Sequence, residues 1–415
     1  MRRKTNYIAG LDIGTTKICC VLARVLEGQE IQILAVGQSE SKGLRKGVVV
    51  NMDETIESIK VAVEETESRA GFPIESVHVG VSGDHIRGVN SRGVVPVRGK
   101  HGEIGGDDIK RVVEAARAVT IPPDREILHV IPQEFIIDGQ DGIYNPTGMS
   151  GTRLEVNVHL VTSSISNTQN VVTSVNHSGM TVENTILQQL ASAESILSRD
   201  EKELGCIVVD IGGGTADMAI FNRNAVWHTA VLPLGGNHIT KDIAVGLRTP
   251  IQEAEKIKKS SACVLPSLLQ NDDTLEVPSV GGRPPRILSR KILCEIVQPR
   301  AEEILILVLQ EVRRAGFEKQ LVAGAILTGG GSMLEGLLEL SEQVLDMPVR
   351  RGYPQAMDGL PDSFRTPANS TAIGLVQYGM KSRSNHFYHE TRHQSSHGIF
   401  AGVLGGMRGW FVQKL

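Results

Sequence analysis

Aromatic side chains make up only 4% of this 415-residue chain. Its core therefore has to be built mainly from Val, Ile, Leu and Ala, and a chain of this length divides into roughly two to four units. Cysteine is sparse too. Cys19, Cys20, Cys206, Cys263 and Cys294 form no C-x-x-C pair and are odd in number, which argues against a zinc ribbon or a disulfide framework and for buried free thiols in a reducing compartment. No apolar run can span a bilayer: the longest purely aliphatic one, Ile304 to Leu309, is far short of the ~20 residues required. Behind the basic start Met1-Arg2-Arg3-Lys4, Asp12 interrupts what would have to be a signal core. The chain reads as neither secreted nor transmembrane. A net charge of −4 lacks the basic footprint of a general nucleic-acid binder, so no nucleic-acid partner is expected.

Glycine, by contrast, is plentiful at 44 residues, and some of it sits in a repeated design. Leu11-Asp12-Ile13-Gly14-Thr15-Thr16-Lys17 recurs as Val209-Asp210-Ile211-Gly212-Gly213-Gly214-Thr215-Ala216-Asp217. Each stretch is an apolar strand ending in an acidic residue, a glycine-led turn and a second apolar strand, Ile18 to Val25 and Met218 to Phe221. A single Asp-x-Gly at a strand end is usually a plain hairpin. Two copies in matching contexts ask for more. Glycine lets backbone N–H groups approach an anion closely, so two such turns face to face could grip a polyphosphate, with Asp12 and Asp210 holding its Mg²⁺ through water. A third element, Ile326-Leu327-Thr328-Gly329-Gly330-Gly331-Ser332, leads into a helical pattern from Met333 to Leu345, an arrangement that lays a flat ligand or phosphate against a helix N-terminus.

Along the chain, residues 1–83 read as strands around the first hairpin, a helix over Met52 to Gly71 and the strand Ser76 to Val81. From Asp84 the texture changes to an Arg/Gly-rich strand pair, a polar helix from Asp107 to Ala118, the extended segment Glu126 to Asp138 and the alternating strand Leu154 to Val161. This is an inserted α+β unit, 84–163. Helices Ser166 to Ser178 and Leu187 to Leu197 and the second hairpin fill 164–234. A mostly helical region, 235–320, opens at Leu234-Gly235-Gly236 and carries a long helix from about Ile287 to Arg314. The main fold resumes over 321–380 and closes with a helix from Ser370 to Met380. Residues 381–397 lack apolar periodicity and read as a disordered linker.

Two Asp-Gly hairpins, a helix between them with a polar residue and a late Gly-Gly-Gly turn resemble the actin-like ATPase superfamily, which includes actin, sugar kinases and DnaK-type chaperones. Within it the chain resembles the FtsA family, bacterial division proteins that link the FtsZ ring to the membrane. The distinctive stretches are Ile131-Pro132-Gln133-Glu134-Phe135 with Asn145-Pro146-Thr147-Gly148-Met149, Val208 to Thr215, Val280-Gly281-Gly282-Arg283-Pro284-Pro285-Arg286 and Leu327 to Gly331. The resemblance implies an α/β, actin-like duplicated ribonuclease-H-like fold, with 1–83 as subdomain 1A, 84–163 as the inserted 1C, 164–234 as 2A and 235–320 as 2B, and with a C-terminal amphipathic membrane helix. It implies that 1C serves filament contacts and later division proteins, and that 2B receives the acidic C-terminal peptide of FtsZ. Arg283, Arg286, Arg290 and Arg300 are suitable cations for that peptide, because Arg binds carboxylates bidentately.

The same resemblance implies ATP with Mg²⁺ as ligand. Asp12 and Asp210 would position the metal, and the N–H groups of Gly14, Thr15, Thr16, Gly213, Gly214 and Thr215, in the turn that Gly212 begins, would cradle phosphates. Lys17 would add a point charge at the β- or γ-phosphate, and Asp217 would support the site. Glu253 and Lys256 become candidates for ribose and base, and Gly329, Gly330 and Gly331 would flank the adenosine. One departure matters: where relatives often carry a glutamate, this chain has Gln188, which orients water but cannot take its proton. Slow or absent turnover is expected.

The last eighteen residues, 398–415, form an amphipathic pattern. At about 100° per residue, Ile399, Phe400, Val403, Leu404, Met407, Trp410, Phe411 and Leu415 fall within roughly 160°, with glycines outside that arc. Arg408 borders the apolar arc and Lys414 can reach lipid headgroups. This predicts a helix lying in the interface of an anionic membrane, weak alone and strengthened by avidity when copies self-associate. The expected role is therefore an ATP-binding, self-associating adaptor at the cytoplasmic face of the inner membrane at the division site. Two alternatives stay open: a related pilus-assembly actin-like protein, and a metabolic kinase or phosphatase on the same fold.

Overall fold

The repeat in the sequence is a repeat of sheets. The computed structural model describes residues 6–26, 30–270, 273–281 and 283–387. The first sheet is built from β1 (Tyr7–Ile13), β2 (Lys17–Val25), β3 (Ile31–Glu40), β6 (Ser76–Val81) and β11 (Thr181–Leu187). The short hairpin β4 (Leu44–Arg45) and β5 (Val48–Val49) and the helix α1 (Met52–Ala70) lie between its third and fourth strands. The second sheet is built from β12 (Cys206–Ile211), β13 (Ala216–Asn222), β14 (Ala225–Leu232), β17 (Ala325–Thr328) and β18 (Val349–Arg351). Their orders, β3-β2-β1-β6-β11 and β14-β13-β12-β17-β18, are the same. In each, the first three strands run antiparallel and the fourth and fifth lie parallel to the first. Asp12 pairs with Cys19 across the first hairpin and Asp210 with Asp217 across the second.

Both faces of each sheet are covered, which is why β1, β2, β12 and β13 read as nearly continuous apolar runs. Helix α1 and helix α3 (Ile165–His177) pack Ile59, Ala62, Val63, Val171 and Val175 on one face of the first sheet. The Asn51 side chain caps the start of α1, and Gly71 ends it in a left-handed conformation. The other face receives Ala372 and Val376 of the last helix. Helix α4 (Gln188–Ile196) lays Leu190, Ala193 and Ile196 on the second sheet, and α5 (Arg199–Leu204) follows it. On the far side of that sheet lie α6 (Gly236–Leu247), α7 (Ile251–Ser261), the hairpin β15 (Thr274–Val277) and β16 (Arg286–Ser289), α8 (Arg290–Ala315) and α9 (Leu337–Leu345). The chain ends its described part with α10 (Ser370–Phe387), which meets α4 through Leu375 and Ala191.

The inserted unit is an antiparallel sheet of β7 (Arg87–Pro96), β8 (Arg125–Ile137), β9 (Gln140–Ile143) and β10 (Arg153–Ser164), in the order β7-β10-β8-β9, with α2 (Gly106–Arg117) on one face. Buried histidines fasten it to both halves. His159 donates from Nδ1 to Asn90 Oδ1 (2.6 Å) and meets Thr229 Oγ1 of β14 at Nε2 (2.8 Å). His129 Nε2 accepts the N–H of Leu187 at the entrance to α4 (3.0 Å).

Several elements differ from the sequence reading. Strand β11 was not expected. Its segment Thr181–Leu187 alternates poorly because it is a parallel edge strand paired only with β6. The helix expected from Ile287 starts at Arg290, since 286–289 pair with β15. The pattern from Met333 becomes helical only at Leu337, after Gly336 turns left-handed (φ 78°). The closing helix runs past Met380 to Phe387, so the start of the expected linker is helical. There Lys381 pairs with Glu194 of α4 and Ser382 Oγ donates to Tyr378 O (3.1 Å). The remainder of that linker and 398–415 lie outside the described residues. All five cysteines are free and buried, as expected. Among the described residues no helix is long and apolar enough to cross a membrane.

Burial, with His228 and His129 nearby, pushes His159 down to about 3, and burial pushes His129 down to about 4. Both values lie below the ~6.5 of a free imidazole, so the contribution of the neutral rings is complete above that pH and is lost as pH falls toward about 4 for His129 and about 3 for His159. The variant His159→Gln is expected to lose about 1–2 kcal/mol at neutral pH. Its urea midpoint should also fall less steeply than that of the wild type on acidification. A parallel decline in both proteins would remove His159 from this role.

Candidate nucleotide site

The two glycine turns are alike and they meet. Gly14 N donates to Lys17 O (3.0 Å) and Gly212 N to Thr215 O (2.9 Å), closing equivalent turns at the ends of β1 and β12. A Cβ on Gly213 would stand 2.4 Å from Thr16 Cγ2, and one on Gly214 would stand 2.6 Å from Thr15 Oγ1. Only glycine permits that approach. The second turn is buttressed from behind, where Gly236 N donates to Gly212 O (2.9 Å) and Asn237 N to Gly213 O (2.8 Å). Among the described residues the N–H groups of Thr15, Thr16, Gly213 and Gly214 have no hydrogen-bond acceptor. Four unused donors on two facing turns make an anion cradle.

Beneath the turns sit three carboxylates. Burial raises Asp12 to about 7, with Lys17 opposing the rise and Asp210 adding to it. Burial likewise raises Asp210, against hydrogen bonds from Ser192 and Thr371. Asp217 is raised to about 7, again chiefly by burial. Its oxygens accept from Ser82 Oγ of the first half and from Thr215 Oγ1 (2.7 Å). Gln188 Nε2 donates to Asp12 Oδ1 (2.9 Å), and Thr371 Oγ1 to Asp210 Oδ2 (3.1 Å). Gly329, at φ 79°, passes so close to Asp210 that a Cβ there would lie 2.3 Å from Oδ1. Crowded, desolvated carboxylates of this kind call for a cation.

The family description "Cell division protein FtsA" matches residues 207–374, and "SHS2 domain inserted in FTSA" matches 83–162. The chain is 48% identical to the cell division protein FtsA of Pseudomonas aeruginosa over 380 residues, covering 92% of this chain and 91% of that one. It is 41% identical to FtsA of Escherichia coli K12, covering 92% of each. The chain belongs to the FtsA family. The fold is that of actin-like proteins: a structure of the PilM-PilN type IV pilus biogenesis complex matches with a TM-score of 0.66 at 17% identity, over 90% of this chain and 98% of that one. MreB 5 of Spiroplasma citri bound to AMPPNP matches with a TM-score of 0.58 at 13% identity, over 93% and 99%. The inserted sheet thus corresponds to the SHS2 domain inserted in FtsA, and family membership replaces the pilus-assembly and kinase alternatives.

The structure gathers Asp12, Gly14, Thr15, Thr16, Lys17, Gln188, Asp210, Gly212, Gly213, Gly214, Thr215, Asp217 and Gly329 at one place, with Gly330 and Gly331 continuing the turn after β17. Lys17 is not free. Its ammonium binds Ala368 O and Asn369 Oδ1 ahead of α10. On α7, Glu253 and Lys256 pair with each other (2.7 Å), with Lys256 72% exposed. The α7 residue that reaches the base of the second turn is Lys258, bonded to Gly236 O (3.1 Å), Thr240 Oγ1 (2.9 Å) and Glu255 (2.7 Å). Sequence reasoning missed Ser82, Ser192, Lys258, Asn369 and Thr371, which come from segments with no motif of their own; only Gly235-Gly236 carried a signal.

The four arginines differ in their partners. Arg300 is held by Asp242 (2.7 Å) and Glu303, and Arg290 by Asp273 (3.3 Å) and Glu335 (2.7 Å), so both are tied into the packing of α8. Arg283 and Arg286 are exposed, the latter also bonded to Leu247 O. The lipid-facing residues expected at 398–415, Ile399 through Leu415, lie outside the described residues.

The ionisation penalty on Asp12 is absent below its ordinary value of 3.8 and complete above about 7. Asp12→Asn keeps an oxygen for Gln188 and removes the charge. The nucleotide-free variant is expected to be more stable than the wild type by an amount that grows between those pH values and levels off on the order of a few kcal/mol. Urea unfolding at a series of pH values measures this, and a pH-independent difference would contradict it.

Proposed function

We propose that this member of the FtsA family binds Mg·ATP between its two halves, self-associates, and tethers the FtsZ ring to the cytoplasmic face of the inner membrane while recruiting later division proteins. The observation that carries the reading is the pair of facing glycine turns with unused N–H donors above three desolvated carboxylates, two buried and one half-buried. The group fits the residues. Thr15, Thr16, Gly213 and Gly214 would hold phosphates, and Asp12 and Asp210 the metal, whose bound charge offsets the buried carboxylates. No three His, Cys, Asp or Glu side chains among the described residues close into a direct metal cage, in keeping with a Mg²⁺ that keeps several waters. Gln188 has its amide nitrogen on Asp12, and an amide takes no proton. Slow or absent hydrolysis follows, and ATP acts as a ligand that holds the halves together.

For the acidic FtsZ peptide the supporting surface is on the lobe spanning 235–320. Arg286 reaches Leu247 O and Val280 N reaches Arg248 O (3.4 Å), which brings exposed Arg248, Arg283 and Arg286 beside exposed Val245, Val280 and Ile287. Cations around apolar side chains suit a peptide with carboxylates and apolar anchors. The inserted sheet would meet later division proteins, and the amphipathic segment 398–415 an anionic membrane.

The test is liposome co-sedimentation of the whole chain and of a form ending at His397, each with and without Mg·ATP. The whole chain is expected to pellet with anionic vesicles, more so with nucleotide, and the shortened form to stay in solution. Equal pelleting of both forms would remove the anchor. Calorimetry showing no affinity of the folded chain for adenine nucleotides with Mg²⁺ would remove the nucleotide site.

A further inference from the structure

The hairpin β4–β5 has no part in either sheet, yet its turn lies on both glycine turns. Leu44 pairs with Val49 and Arg45 with Val48, leaving Lys46 and Gly47 as a two-residue turn with φ of 51° and 76°. Left-handed values at both positions define a type I′ turn, for which Asn, Asp or Gly is preferred at the first position. A lysine there is strained, because its Cβ crowds the following carbonyl. Such outliers persist where neighbours hold them in place.

The neighbours are the phosphate turns. Gly47 N donates to Thr15 Oγ1 in the first half (3.1 Å). A Cβ on Gly214 of the second half would stand 3.0 Å from Lys46 Cα and 3.1 Å from Lys46 N. On its other side the turn abuts Ser82 and Gly83: a Cβ on Gly47 would lie 2.9 Å from Ser82 O and from Gly83 Cα. The Ser82 hydroxyl is the donor to Asp217. Lys46 is half-buried, and its ammonium makes no hydrogen bond or ion pair among the described residues. Its charge reaches the start of α6, where it adds to the burial that pushes His238 down. Lys17, the cation of the first turn, is already bound to Ala368 O and Asn369 Oδ1. Among the described residues, the cation at the facing turns without a side-chain partner is Lys46.

We propose that Lys46 is a third phosphate-binding element, a cation presented by the β4–β5 turn between the two glycine turns that takes the terminal phosphate of a bound nucleoside triphosphate. This rests on the nucleotide site argued above. The backbone of the turn contacts one glycine turn from each half, so a phosphate bound by Lys46 would be gripped from both halves and from the bridge between them. A diphosphate lacks the group that Lys46 takes and would gain little from it.

Lys46→Gly separates charge from backbone, because glycine adopts the left-handed conformation without strain. Full-length wild type, Lys46→Gly and Lys46→Arg are titrated with Mg·ATP and Mg·ADP by calorimetry, and the nucleotide-free proteins are melted. The expected result is about tenfold weaker ATP binding by Lys46→Gly, with ADP affinity changed by less than about twofold. Lys46→Arg should retain most ATP affinity, and the melting temperature of Lys46→Gly should equal or exceed that of the wild type. Wild-type ATP affinity in Lys46→Gly, or equal losses for ATP and ADP, would overturn the assignment. Failure of the wild type to bind either nucleotide would instead overturn the site itself.

Discussion

Three aspartates at the junction of two sheets, Asp12 and Asp217 buried and Asp210 half-buried, are the constraint around which the rest is arranged. Asp12 comes from the end of β1, and Asp210 and Asp217 from the hairpin of β12 and β13, so neither half buries the cluster alone. Desolvated carboxylates favour the protonated form, and these are held only by hydroxyls, one amide and the nearby Lys17. Without a cation this junction costs stability. Natural sites accept such a cost where a ligand repays it on binding.

The side-chain contacts that restrain Asp12 and Asp210 come from the two helices between the sheets. Helix α4 supplies Gln188 and Ser192, and α10 supplies Thr371, while α4 and α10 pack on each other through Ala191 and Leu375. A change in the charge of the cluster is therefore felt first by the layer that joins the halves. The inserted sheet is attached to the same layer. His129 takes the N–H of Leu187 immediately before α4, and His159 reaches β14 of the second sheet. In this member of the FtsA family the carboxylate cluster, the interdomain helices and the insertion thus form one connected set of contacts.

The candidate site was legible where the sequence carried a local signal with a physical meaning. An acidic residue followed by glycine at the end of an apolar strand predicts a tight turn with exposed N–H groups, and both hairpins and the Gly329 turn formed as that pattern demands. The second-half turn of Gly235 and Gly236 was visible only as a change of texture. Ser82, Ser192 and Thr371 were invisible, since an isolated serine or threonine has no sequence context that distinguishes a carboxylate's partner from a surface hydroxyl. Arg290 and Arg300 read as cations suited to an acidic peptide, but apart from Glu303 the carboxylates that hold them, Asp242, Asp273 and Glu335, are distant in sequence. Strand β11 escaped because a parallel edge strand needs no strict alternation.

From the sequence alone came the duplication, the acidic glycine turns, the apolar strands that need cover on both faces and the amphipathic pattern at the end of the chain. Each of these is written in neighbouring residues through backbone freedom and hydrophobic period. Tertiary structure alone decided that the two turns touch, that Lys17 is committed to Asn369 while the Lys46-Gly47 turn lies against them both, and which arginines remain exposed. Those outcomes depend on distances between groups scores to hundreds of positions apart along the chain, which only the packing of the two sheets around α4 and α10 sets.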